Sequence, residues 1–200
     1  MKQRTRKRAV HSHSSQTQKS RFNYKIVIPS YKRETTLRDK TLQFLQRQGI
    51  PAAKIHIFVA NEEEKKKYQE TLPPYYHQII VGVVGMKNIR NFIADYFPAG
   101  SYLFNMDDDI SGMLELLRPK DEKRKIKPTS RQLPKGHLDK MITTGFQECR
   151  QHGLSLFGIY PACNPFFMKK RITHDLRYII GSCWGCILDP SIKVTMDDKE

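Results

Sequence analysis

The chain has 200 residues, 38% of them hydrophobic and 28% charged: enough for one packed domain, too polar for every segment to join its core. Thirty-five Lys and Arg against 20 Asp and Glu leave a net charge of +15, which fits a polyanionic partner or an anionic surface and says nothing about fold. No run of about 18 apolar residues exists and no apolar stretch follows the basic start, so neither a transmembrane span nor a secretory signal peptide is expected.

Residues 1–21 carry Lys2, Arg4, Arg6, Lys7, Arg8, Lys19 and Arg21 and no acid, so the rest of the chain keeps +8. With almost nothing to bury, this tail is expected to be disordered. It reads equally as a nuclear-import signal, a phosphate-binding arm or a plain solvated leader. A globular domain is expected over 22–200.

The body opens with Tyr24 to Pro29, an apolar run that reads as a buried strand ended by its proline, with Ser30 to Arg33 as the loop beyond it. Thr36 to Gln48 has helical spacing and stops at Gly49. Lys54 to Ala60 is a second strand, and Asn61 caps a charged helix from Glu62 to Glu70. His77 to Gly82 is a third strand, Lys87 to Tyr96 a helix after the Gly85 turn, and Ser101 to Met106 a fourth strand. Strands alternating with helices predict an α/β fold with a mostly parallel sheet, whose ligands bind beyond the carboxyl ends of the strands. Ser30–Arg33, Asn61–Glu62, Gly85–Arg90 and Asp107–Asp109 all fall on that edge.

Beyond it the pattern changes. Residues 118–136 hold eight basic residues, two acids and three prolines, and predict a mobile basic loop. Leu138 to His152 reads as an amphipathic helix, and Ser155–Tyr160, Arg177–Gly181 and Trp184–Leu188 as strands. The four cysteines imply free thiols in a reducing, intracellular setting. Cys183 and Cys186 have C-x-x-C spacing, but no further ligands stand nearby to complete a zinc site. They read as small core residues. Phe166, Phe167 and Trp184 also read as core, with stacking against a flipped base as the alternative.

Asp107-Asp108-Asp109 is the sharpest motif. Three adjacent carboxylates repel and call for a cation or cationic partners. At a strand end they suit a hard divalent ion that also holds a diphosphate. The plain alternative is an acidic turn capping Ile110 to Leu117.

Ile26 to Arg33, Ile57 to Glu63, Gly85 to Ile93 and Met106 to Ile110 together resemble the GT-A glycosyltransferases, and most closely the TET-associated glycosyltransferase family. The likeness covers roughly residues 24–117. It implies a GT-A fold and a nucleotide-sugar donor, a UDP-sugar foremost. It also implies Mn²⁺ or Mg²⁺, and sugar transfer to hydroxymethylated pyrimidines of DNA. Carried over, Pro29, Ser30, Tyr31 and Arg33 floor the base and ribose, and Asn61 and Glu62 reach the nucleoside. Gly85 admits the donor to the backbone, Lys87 and Asn88 line the helix start, and Arg90 offsets leaving-group charge. Each has a plain counterpart: Pro29 ends a strand, Tyr31 covers an edge, Asn61 caps a helix and Arg90 forms a surface ion pair. Asp107 and Asp109 are implied metal ligands, and Asp107 and Asp108 donor contacts. Asp197, Asp198 and Glu200 are candidates for the base, or else a frayed terminus, and further residues completing the site are expected after Glu200.

The charge adds an independent reason for DNA, since Lys120, Lys123, Arg124, Lys125, Lys127, Arg131 and Lys135 can track a phosphate backbone. Two rivals stand beside this reading: transfer to a protein or glycan acceptor, and an inactive nucleic-acid-binding protein on the same fold.

Overall fold

A computed structural model describes residues 22–117, 127–175, 177–179 and 181–191. Among them the strands are β1 (Tyr24–Pro29), β2 (Ile55–Val59), β3 (Gln78–Val81), β4 (Tyr102–Met106), β5 (Leu114–Leu117), β6 (Thr129–Gln132), β7 (Leu156–Gly158) and β8 (Cys183–Ile187). The helices are α1 (Glu34–Leu37), α2 (Gln43–Gln48), α3 (Glu62–Thr71), α4 (Met86–Tyr96) and α5 (His137–His152). A π-helical turn, Arg38–Leu42, joins α1 to α2 without a break.

Six strands form one sheet in the order β3-β2-β1-β4-β8-β7. The first four are parallel, as the alternating pattern predicts. β8 then runs antiparallel to β4, and β7 antiparallel to β8. The central strands are apolar on both faces because helices cover both. Tyr24, Ile26 and Ile28 of β1 pack with Leu37, Leu45, Tyr68, Ile142 and Phe146 on one side. Val27 faces the other side with Phe58, Leu103, Ile89 and Ile93 of the α4 layer. Burying each such large side chain contributes roughly 1.5–3 kcal/mol, which is what fixes the strand ends in space. Leu138, Ile142, Phe146 and Cys149 give α5 a buried stripe at helical spacing.

Phe157 of β7 is wedged between Gly145 of α5 and Gly185 of β8, and a methyl group at either glycine would overlap its ring. Both glycines are there for close approach rather than for a turn.

Several expectations are corrected. The basic stretch is not wholly a loop, because Thr129–Gln132 pairs antiparallel with Leu114–Leu117 as a second sheet. Ile110–Leu117 is thus the way into a hairpin, not a segment capped by Asp. Arg177, Tyr178 and Ile179 are irregular rather than strand. Phe166 and Phe167 are 75% and 58% exposed instead of core, whereas Trp184 is buried. Cys183 and Cys186 are buried and free as expected. Three residues apart on a strand, they join the core layers on opposite sides of the sheet, so they cannot share one metal. Burial pushes each thiol up to about 12. No helix among the described residues is long and apolar enough to cross a membrane.

Candidate active site

The four parallel strands end on one edge. The chain moves outward from β1 to β2 to β3, then returns to place β4 on the other flank of β1. At this reversal the ends of β1 and β4 lie side by side, the place where sheets of this kind take ligands. The Asp turn follows β4 directly, and Ser30 to Arg33 follow β1.

The two loops are bonded to each other. Ser30 Oγ donates to Asp108 Oδ2 at 2.6 Å and lies 2.7 Å from Tyr68 Oη. The Arg33 amide donates to that same Tyr68 oxygen at 3.1 Å. Each hydroxyl has one proton, so the order runs Arg33 N–H to Tyr68, Tyr68 O–H to Ser30, and Ser30 O–H to the carboxylate. The Arg33 guanidinium spans two acids, with Nη1 3.0 Å from Asp108 Oδ1 and Nη2 2.9 Å from Asp109 Oδ2. Arg90 enters from α4, where Nη2 donates to Asp107 Oδ1 at 2.6 Å and Nη1 to Asn105 Oδ1 at 3.1 Å. Asn105 in turn donates to Cys186 Sγ. Thr41 closes the turn by donating to the Asp107 carbonyl at 2.8 Å and accepting the Ile110 amide at 2.9 Å.

Burial raises the Asp107 carboxyl above its ordinary range, with Arg90 opposing it. Burial also raises Asp108, opposed by the Ser30 hydrogen bond and Arg33. The hydrogen bond it donates to Asp109 and the charge of Asp108 hold the exposed Arg33 guanidinium up. Burial lowers Arg90, and Asp107 opposes that shift. Both arginines keep their charge.

Two guanidinium groups thus balance two of the three carboxylates and leave one negative charge over. Asp107 and Asp109 keep 33% and 41% of their side chains exposed, against 6% for Asp108. Asp107 and Asp109 offer the oxygen-only chemistry that a hard divalent cation takes, each with one arginine already on it, and Asp108 is the member that fastens the turn to β1.

The remaining predicted residues fall into place unevenly. Pro29 is the buried last residue of β1. Tyr31 is exposed, with the Lys32 ammonium 5.0 Å from its ring centre. Lys32 has φ 53°, and its amide donates to Glu64 Oε2 at 2.8 Å, which holds that backbone in the left-handed region. Asn61 is a helix cap, its Oδ1 accepting the Glu64 amide at 2.9 Å, and Glu62 pairs with Lys65. Gly85 has φ 97° at the start of α4, a conformation that favours glycine. Lys87 lies on the first turn of α4, and Asn88 donates to the Val84 carbonyl. Arg90 is buried against Asp107, which corrects the surface-ion-pair alternative. Thr41, Glu64, Tyr68 and Asn105 are site residues that sequence reasoning missed.

Of the basic series, Lys127 and Lys135 are exposed, while Arg131 is paired with Glu115 at 2.9 Å. Lys120, Lys123, Arg124 and Lys125 lie outside the described residues, as do Asp197, Asp198 and Glu200. A cavity of ≈ 670 Å³ sits at the opposite end of the sheet, lined by Lys25, Ser101 and Arg150 among others and by no carboxylate. No protein-family model matches this chain, and no curated protein matches its sequence.

Proposed function

We propose that this protein is a divalent-metal-dependent glycosyltransferase of the GT-A type, moving a sugar from a nucleotide-sugar donor to an acceptor hydroxyl. The observation that carries the reading is the bonded junction of the β1 and β4 loops, Ser30 and Arg33 on Asp108 and Asp109, at the reversal of strand order. A donor lying on that edge meets exposed Tyr31 as a face for its base, with exposed Val84 and Met86 at the start of α4. Asp107 and Asp109 hold Mn²⁺ or Mg²⁺, which when bound stabilises the negative charge of the departing diphosphate. Arg33 is exposed and bonded to two carboxylates, so its guanidinium is within reach of a diphosphate at the turn. Arg90 is a positioning residue that holds Asp107 through its carboxylate. In the transfer the bond from the anomeric carbon to the diphosphate oxygen breaks, and its electron pair leaves with the nucleoside diphosphate. The acceptor oxygen bonds to that carbon and gives its proton to a base, for which Asp197, Asp198 and Glu200 are the sequence candidates.

The favoured acceptor is a hydroxymethylated pyrimidine in DNA, for which the +15 charge is the independent support. The Arg131–Glu115 pair favours the second reading, a protein or glycan acceptor, because it takes one cation out of the proposed phosphate track. The test is incubation with a panel of nucleotide sugars, Mn²⁺ and hydroxymethylcytosine DNA, followed by mass spectrometry of the nucleosides. A glycosylated nucleoside is expected, with Asp109→Ala reducing it at least about 100-fold. Donor hydrolysis without modified DNA would move the acceptor to the second class. Full activity in Asp107→Ala/Asp109→Ala would remove the metal role.

A further inference from the structure

A second cluster of chemically active side chains lies on the last turns of α5, next to Arg150 and Gln151 of the cavity at the far end of the sheet. Glu148 and His152 are four residues apart and so share one helix face. His174 reaches them from the irregular stretch between β7 and β8. His174 Nε2 is 3.0 Å from Glu148 Oε2, and His152 Nε2 is 3.6 Å from the same oxygen. One potential ligand atom from each residue lies within 4.8 Å of the other two. The two imidazole rings lie 3.9 Å apart, centre to centre.

A hydrogen bond explains the contact of His174 with Glu148. His152, 3.6 Å from that oxygen and beyond hydrogen-bond reach, turns its Nε2 to the same point, where an i,i+4 ion pair with Glu148 holds it only when its ring is protonated. A cation shared by all three holds both rings in their neutral form. Bonds of about 2.0–2.1 Å in a tetrahedron set neighbouring ligand atoms about 3.3 Å apart, and the two nitrogen–oxygen separations straddle that value. Two imidazoles and one carboxylate suit zinc-type ions, unlike the all-oxygen Asp turn. The partial negative charge at the C-terminal end of α5 adds to the attraction.

We propose that Glu148, His152 and His174 bind one zinc-type divalent ion with a fourth position left to water, and that this ion ties the 159–182 segment to α5. The segment is already anchored at its ends, where the Ile159 amide donates to the Cys183 carbonyl and the Asp107 amide to the Ser182 carbonyl, both at 3.1 Å. The ion fastens its middle. This proposal stands independently of the glycosyltransferase reading.

The test is a titration of the full chain with Co²⁺, read by its visible d–d absorption and by trypsin cleavage at Lys169, Lys170 and Arg171. One Co²⁺ with tetrahedral bands is expected in the parent and in Asp107→Ala/Asp109→Ala and His11→Ala/His13→Ala. Both His174→Ala and His152→Ala lose the bands, with circular dichroism unchanged because the two side chains are 41% and 47% exposed and outside the core. At saturation the metal slows cleavage of the parent by at least about tenfold and leaves His174→Ala unaffected. Bands that survive His174→Ala, that vanish with the Asp turn or with His11 and His13, or that never form would overturn the site. Bands without protease protection would overturn the tie.

Discussion

Residues 24–106 and the described residues of 153–182 are built in opposite ways. The first region alternates apolar strands with helices, and the charged residues of its candidate site stand where the strands stop. The second has a similar share of aromatic side chains but leaves Tyr160, Phe166 and Tyr178 at 73%, 75% and 80% exposure, with Phe157 held between two glycines. Apolar content alone therefore does not decide burial. A side chain is buried when its repeat matches the element that carries it, and only the first region has that repeat. The consequence for function is positional. The acids and arginines of the first region sit on fixed strand ends, whereas the second region hangs on a few side-chain contacts.

The contrast can be broken most severely at Arg90. Arg90→Ala leaves Asp107 without its buried partner and should cost about 3 kcal/mol in denaturant unfolding, the lower end for such pairs because Asp107 stays partly in solvent. A loss below 1 kcal/mol would mean the edge is not held by this pair. Gly185→Ala forces a methyl group into the Phe157 ring and should cost about 1–3 kcal/mol, with Phe157→Leu in the same chain recovering part of it. No recovery would detach the glycine from the ring. Asn61→Ala removes the α3 cap and should lower stability by about 1 kcal/mol, with far-ultraviolet circular dichroism otherwise unchanged. Phe166→Ser with Phe167→Ser should change stability by less than about 0.5 kcal/mol, since both rings are exposed. A larger loss would show that the second region has a core of its own.

The parallel half is legible because Ile, Val and Phe runs stop at Pro29, Gly82 and Asp107, so strand ends could be read off directly. The same reading put Ser30, Arg33, Arg90 and the Asp turn on one edge. It could not give their pairing, because Ser30 and Asp108 are 78 residues apart and nothing local encodes the bond. Glu64 and Tyr68 were hidden in a helix that looks charged all round, where a buried Glu resembles its solvated neighbours. The β5–β6 hairpin was missed because Thr129–Gln132 is entirely polar and has no apolar face to reveal it. The antiparallel return of β7 and β8 rests on the Phe157 contacts, which are set by tertiary packing.

The π turn at Arg38–Leu42 gives the helix one residue more per turn than an α-helix needs, and Thr41 lies within it. Each residue advances an α-helix by about 100°, so the surplus works like the offset tooth of a key. It aims the Thr41 hydroxyl at the Asp turn while Leu37 and Leu45 still face the core. A chain shortened by one residue here would close into a plain α-helix and keep its hydrophobic stripe on both sides of the cut. The acid turn would then lose its latch before the helix lost its packing.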